Sequence, residues 1–137
     1  MKYIDSFSIA SFKQEEDYIL ERRKTKADMT CYSNSIYPFN IFTWKKLHTI
    51  EFENITIICG GNGCGKSTLL NIIAEKLGVM RRSPFNYTPY YEDYLKLCSA
   101  ELTFGRRLPE TSRIITSDDV FDFLLDIRSL NVAIDRR

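Results

Sequence analysis

The sequence predicts an α/β fold with a mixed sheet and antiparallel N-terminal strands. Three observations carry that expectation. Ile55–Cys59, "ITIIC", is apolar throughout, as a strand covered on both faces would be. Ser67 to Leu77 repeats apolar residues at helical spacing. Between them lies "GGNGCGKS", which holds four of the chain's six glycines. A strand, a tight glycine-rich loop and a helix in that order form one α/β unit.

The remaining elements follow in chain order. Tyr3, Phe7 and Ile9 fall on one side at period two, which predicts a half-buried strand over Tyr3–Ile9. Residues 13–30 are dense in charge and read as a solvated surface segment, helical or not. Pro38 blocks a long regular element among the aromatics Tyr37, Phe39, Phe42 and Trp44. Leu47–Phe52 and Ile55–Cys59 are joined by Glu53-Asn54, the pattern of an antiparallel hairpin. In the helix after the loop, Leu69, Leu70, Ile73 and Leu77 mark the apolar face, and Gly78 suits a left-handed C-terminus. A short helix is expected near Tyr91–Leu97 and a short strand at Arg113–Ile115. Thr116 or Ser117 caps a last helix from Asp118 to about Asn131, with Val120, Leu124, Ile127 and Leu130 on its core side.

Composition narrows the function classes. The 137 residues suffice for one domain, residues 1–137, with one core. Nineteen basic residues against eighteen acidic give a net charge of +1, which does not favour nucleic acid as the main partner. Arg81-Arg82 and Arg106-Arg107, with tyrosines between them, leave a local nucleic-acid surface open. Cys31, Cys59, Cys64 and Cys98 form no C-x-x-C pair, and His48 is the single histidine, so no zinc site is expected. Free thiols suit a reducing, cytoplasmic setting. No apolar run approaches the roughly 18 residues of a membrane-spanning helix.

The chemistry concentrates in the loop. Gly60-Gly61-Asn62-Gly63-Cys64-Gly65-Lys66-Ser67 fits G-x-x-x-x-G-K-[ST], the phosphate-binding loop called Walker A. Consecutive backbone N–H groups can wrap a polyphosphate only where side chains do not resist the turn, hence Gly61, Gly63 and Gly65. The helix that follows aims its positive end at the phosphates. Lys66 reaches the β- and γ-phosphates as the catalytic charge, and the Ser67 hydroxyl is placed to ligate Mg²⁺. The expected ligand is ATP with Mg²⁺.

"GGNGCGKSTLLNIIAEKL" resembles the Walker A region of the ABC-class ATPases, whose loop commonly reads G-x-N-G-x-G-K-S-T-L-L. Asn62 and the run Ser67-Thr68-Leu69-Leu70 carry the match, and about fifty residues precede the loop, as strands do in that class. The pattern is most similar to small stand-alone bacterial ATPases of the class. It covers residues 1–80 well and 81–137 loosely. Cys64 departs from it, since serine is usual there. The backbone N–H at that position matters more than the side chain, so binding should survive. The resemblance implies a P-loop NTPase fold, with Gly60, Gly61, Asn62, Gly63, Cys64, Gly65, Lys66, Ser67 and Thr68 around the nucleotide. One of Tyr37, Phe39, Phe42 and Trp44 could then stack on adenine, against core packing for the rest.

The resemblance also implies parts that these residues lack. No run of four aliphatics before Asp-Glu, the Walker B strand, is present, and no LSGGQ-like signature is found. Gln14 lies upstream of the loop, and His48 precedes it, so neither can serve as the class's glutamine or switch histidine. "RIITSDDVFDFLL" reads first as a capped helix start. Two other readings stay open: Ser117 or Asp118 standing in for the glutamine, or a degenerate Walker B. No N-K-x-D for guanine is present, and a small-molecule kinase would carry its loop nearer the N-terminus. The expected function is therefore Mg·ATP binding by the N-terminal part of an ABC-type ATPase. A homodimer, a partner or further segments would complete the site for hydrolysis. The alternative is an interaction module that holds nucleotide without turnover and reports it through residues 113–131.

Overall fold

At the centre of the sheet is β1 (Ile4–Ser8), flanked by β2 (Thr49–Glu51) and β3 (Ser99–Leu102), both antiparallel to it. The computed structural model describes residues 1–25 and 36–135. Cys31 and the residues from 26 to 30 lie outside that range. The expected first strand is thus present, and the alternation that predicted it is real. Phe7 is fully buried, while Ser6 and Ser8 face the other way and bond across the strands to Glu101 Oε2 and Thr49 Oγ1, both at 2.9 Å.

The expected hairpin is corrected. Only Thr49–Glu51 of its first arm is a strand, and it pairs with β1. Ile55–Cys59 forms no strand, and among the described residues no other segment pairs with its backbone. Ile55 and Ile57 are 82% and 79% exposed. Apolar, β-branched residues favour a pleated surface only when a neighbouring strand supplies the ladder, and none is supplied here. Ile58 alone of this run packs against the core. The sheet is therefore a small antiparallel one, and the parallel element reduces to a single bridge between Met80 and Arg113. That bridge stands where a strand over Arg113–Ile115 was expected.

Four α-helices and a short 3-10 turn at Thr43–Lys45 complete the described chain. α1 (Phe12–Thr25) starts with reciprocal bonds: Ser11 N–H donates to Gln14 Oε1 at 2.9 Å, and Gln14 N–H to Ser11 Oγ at 3.3 Å. That is a capping box, S-x-x-Q, on the sequence Ser11–Gln14. The expectation of a purely solvated segment is corrected here, because Glu15 is 1% exposed and Tyr18 stacks on Phe39 at 4.6 Å. α2 (Lys66–Leu77) buries Leu69, Ile72, Ile73 and Ala74. Leu70, expected on the same face, is 46% exposed. Gly78 takes φ 63° and the helix closes with Gly78 N–H on Glu75 O and Val79 N–H on Ala74 O.

α3 (Tyr91–Leu97) lies where expected and sends Tyr91 and Tyr94 into the core, both fully buried. α4 (Ser117–Asp135) begins at the expected cap: Thr116 N–H and Oγ1–H both donate to Asp119 Oδ2 at 2.8 Å. Its expected core side is corrected. Val120, Leu124 and Ile127 are 51%, 57% and 40% exposed, and the side chain of Leu130 lies outside the described residues. The core sits between the sheet and α1, α2 and α3, around Phe7, Phe39, Phe42, Ile72, Tyr91 and Tyr94.

Candidate functional site

The glycine-rich loop crosses from the exposed 55–59 run to the start of α2. Gly63 and Gly65 have φ values of 74° and 93°, which side chains resist. Gly61, expected to share this strain, does not take a positive φ. Gly65 is additionally crowded. A Cβ there would stand 3.1 Å from Phe42 Cε1 and 3.3 Å from Ile41 Cγ2. The segment 39–45 therefore lies directly against the last glycine of the loop.

A cleft of about 560 Å³ opens over residues 62–68, with Ile41 and Lys45 forming its other wall. It brings together Asn62, Gly63, Cys64, Gly65, Lys66, Ser67 and Thr68 of the expected site; Gly60 and Gly61 lie just before it. Two ammonium groups, Lys45 and Lys66, border the cleft, and among the described residues none that lines it is acidic. Such a site favours an anion. Lys66 folds back over its own loop, donating to Gly60 O at 2.7 Å and to Gly61 O at 2.8 Å. Cys64 N–H closes a turn onto Gly61 O at 3.4 Å, and Lys45 Nζ donates to Cys64 O.

The Cys64 thiol feels opposing influences. Its partial burial raises the pKa, but the Lys66 backbone N–H and ammonium, with Lys45 behind them, bring it below the ordinary thiol value. Lys66 Nζ lies 3.5 Å from Sγ. Cys98, by contrast, is 3% exposed, and burial pushes its thiol up to about 11. Cys59, Cys64 and Cys98 are all free.

Ser67 is exposed on the first turn of α2, and Thr68 Oγ1 accepts a hydrogen bond from Tyr37 Oη at 3.3 Å. A divalent cation could take the Ser67 hydroxyl together with phosphate oxygens. Among the described residues no three His, Cys, Asp or Glu side chains converge to hold a metal by themselves. The donor set thus fits Mg²⁺ only as a companion of a polyphosphate, which is how that ion usually binds.

The four aromatics before the loop separate clearly. Phe39 and Phe42 are each 2% exposed and belong to the core. Tyr37 leans on Tyr91, at 6.0 Å. Trp44 is 83% exposed, edge-on to Phe12 and next to Lys45. Of the arginine pairs, Arg81 is engaged by Asn71 Oδ1 at 2.6 Å and lies over Phe85, and Arg106 lies over Tyr3. Those two arginines are held within the fold. His48 is exposed and contributes its backbone carbonyl to Ile9 N–H, at 2.9 Å.

The segment "RIITSDDVFDFLL" is a capped helix start. Asp119 accepts from Thr116 and, at 2.5 Å, from the Ser83 hydroxyl. These bonds hold its carboxyl down at about 2. Ile41 and Lys45 line the cleft, and Glu15 bonds to Asn40 and Thr43 of the segment that carries them; none of the three was anticipated. Lys45 and Ile41 have no spacing signal in the sequence. The Ser11-x-x-Gln14 box does, and it would have placed Glu15 in the first turn of a helix.

A family model described as an AAA domain matches residues 35–77, about a third of the chain. The matched stretch includes segment 39–45, the loop and all of α2. It supports a P-loop, AAA-type ATPase domain with nucleotide binding. No curated protein and no solved structure matches the chain. Among the described residues no helix is long and apolar enough to cross a membrane.

Proposed function

We propose that the chain binds Mg·ATP through Gly60–Thr68 as the nucleotide-binding part of an ABC-type ATPase. The observation that carries this reading is the cleft over the loop, bordered by Lys45 and Lys66 and, among the described residues, without acidic lining. Lys66 exchanges the carbonyls of Gly60 and Gly61 for the β- and γ-phosphates. The backbone N–H groups around Gly63 and Gly65 and the N-terminus of α2 face the same charge. Ser67 holds the metal, which when bound neutralises charge between the phosphates. Trp44, the exposed aromatic beside Lys45, is the residue offered to the base.

Hydrolysis requires a group that activates or orients water, and among the described residues no carboxylate lines the cleft to act as a base. Among the described residues the 55–59 run lacks the neighbours that a parallel sheet would give it. Both features support completion by a second copy, a partner or a further segment. The isolated chain then binds ATP with little turnover. A second reading, the non-hydrolysing interaction module, draws support from the exposed Phe121, Phe123 and Leu124 on α4. Steady phosphate release by the monomeric chain would refute both the second reading and the need for completion. Calorimetric titration of Lys66→Ala tests the binding proposal itself, with loss of ATP binding expected.

A further inference from the structure

Glu15 is a carboxylate on α1 with only 1% of its surface exposed. Buried carboxylates occur where hydrogen bonds compensate them. One of its oxygens, Oε2, accepts both the Asn40 backbone N–H at 2.7 Å and the Thr43 hydroxyl at 2.8 Å. Those donors bracket the short stretch that walls the cleft. Between them Ile41 and Phe42 press on Gly65, and Lys45, two residues after Thr43, donates to Cys64 O. Asn40 holds φ 64°, a left-handed turn that asparagine adopts more readily than most side chains, and its N–H is aimed at Glu15 there. Among the described residues the other oxygen, Oε1, accepts no hydrogen bond of good geometry, although the Tyr94 hydroxyl interacts with the same carboxylate. Both useful bonds therefore converge on a single acceptor atom.

We infer that Glu15 is a positioning residue for the nucleotide site: it fixes segment 40–45, and through it the placement of Lys45 and Ile41 against the phosphate loop. The inference rests on the proposed nucleotide binding and adds α1 to its machinery. Glu15 touches neither the loop nor the cleft; it acts on ligand affinity only through that segment.

The test titrates ATP into the full chain by calorimetry, with circular dichroism and thermal unfolding as controls of folding. Glu15→Ala removes both bonds and should weaken ATP binding about tenfold, the scale of a lost charged hydrogen bond. Glu15→Gln keeps one oxygen able to accept both donors, so it should stay within about threefold of wild type. In a Lys45→Ala background Glu15→Ala should cost only about twofold, because the residue it positions is gone. Thr43→Val removes one donor without disturbing α1 and should weaken binding several-fold even if Glu15→Ala does not fold.

Additive effects of Glu15→Ala and Lys45→Ala, or equal losses in Glu15→Ala and Glu15→Gln, would overturn the inference. So would wild-type affinity in folded Glu15→Ala, or in Thr43→Val. Lys66→Ala is titrated alongside: if wild type itself binds no ATP, it is the underlying functional reading that fails.

Discussion

Gly65→Ala probes the contact between the phosphate loop and its aromatic wall. An L-residue held at a left-handed φ costs about 1–2 kcal/mol, and Gly65 sits at 93°. The added Cβ would also meet Phe42 at 3.1 Å and Ile41 at 3.3 Å. Phe42 is 2% exposed and packed in the core, so it cannot swing away freely. Overpacking of this kind adds about 1–3 kcal/mol. Gly63 is the internal control. Its φ is 74°, but a Cβ there would touch nothing within 4 Å. Gly63→Ala should therefore cost only the backbone contribution, about 1–2 kcal/mol. For a chain of this size 1 kcal/mol corresponds to roughly 3–5 °C in melting temperature. Thermal unfolding by circular dichroism should place Gly65→Ala lower than Gly63→Ala by roughly 3–15 °C. ATP titration should show the larger loss of affinity for the same variant. Equal melting temperatures for the two variants would refute the claim that segment 39–45 is seated on the loop.

Two further outcomes follow from the charges. The Asp119 carboxylate is held at about 2 against an ordinary 3.8, so the stability it contributes is present above the ordinary value and lost as pH falls toward 2. Wild type should lose stability across that window, as followed by denaturant unfolding, and Asp119→Asn should show a shallower pH dependence there. Cys64, drawn down by Lys66 and half-buried at the cleft, should be alkylated faster than the buried Cys98. Peptide mapping after iodoacetamide should show that order, and saturating Mg·ATP should protect Cys64; absence of protection would place the nucleotide elsewhere.

Elements that announce themselves by local chemistry were legible in the sequence. The end of α2 was readable because Gly78 supplies a left-handed residue that few others adopt. The start of α4 was readable because Thr116 and Asp119 cap each other without help from distant residues. The loop was readable for the same reason, since its glycines answer to backbone geometry within eight residues. Features made by distant partners were not legible. Ser99–Leu102 becomes a strand only because β1, more than ninety residues earlier, pairs with it. Its "SAEL" carries no β-rich signal. Ile55–Cys59 shows the reverse: strong local preference and, among the described residues, no partner to realise it. The site divides along the same line. Lys66 and Ser67 were visible from spacing, whereas Lys45 enters the cleft through the fold of segment 39–45 and Glu15 acts from another helix. No pattern of residue types marks Lys45 in advance, and the Ser11-x-x-Gln14 box places Glu15 on a helix without pointing to its distant partners.

The most direct test of nucleotide binding is calorimetric titration of Mg·ATP into the wild-type chain and into Lys66→Ala. Saturable one-site binding by wild type, abolished in a folded Lys66→Ala, is the predicted result. Equal affinity in the two proteins, or no binding by wild type, would contradict the proposal that this loop holds the triphosphate.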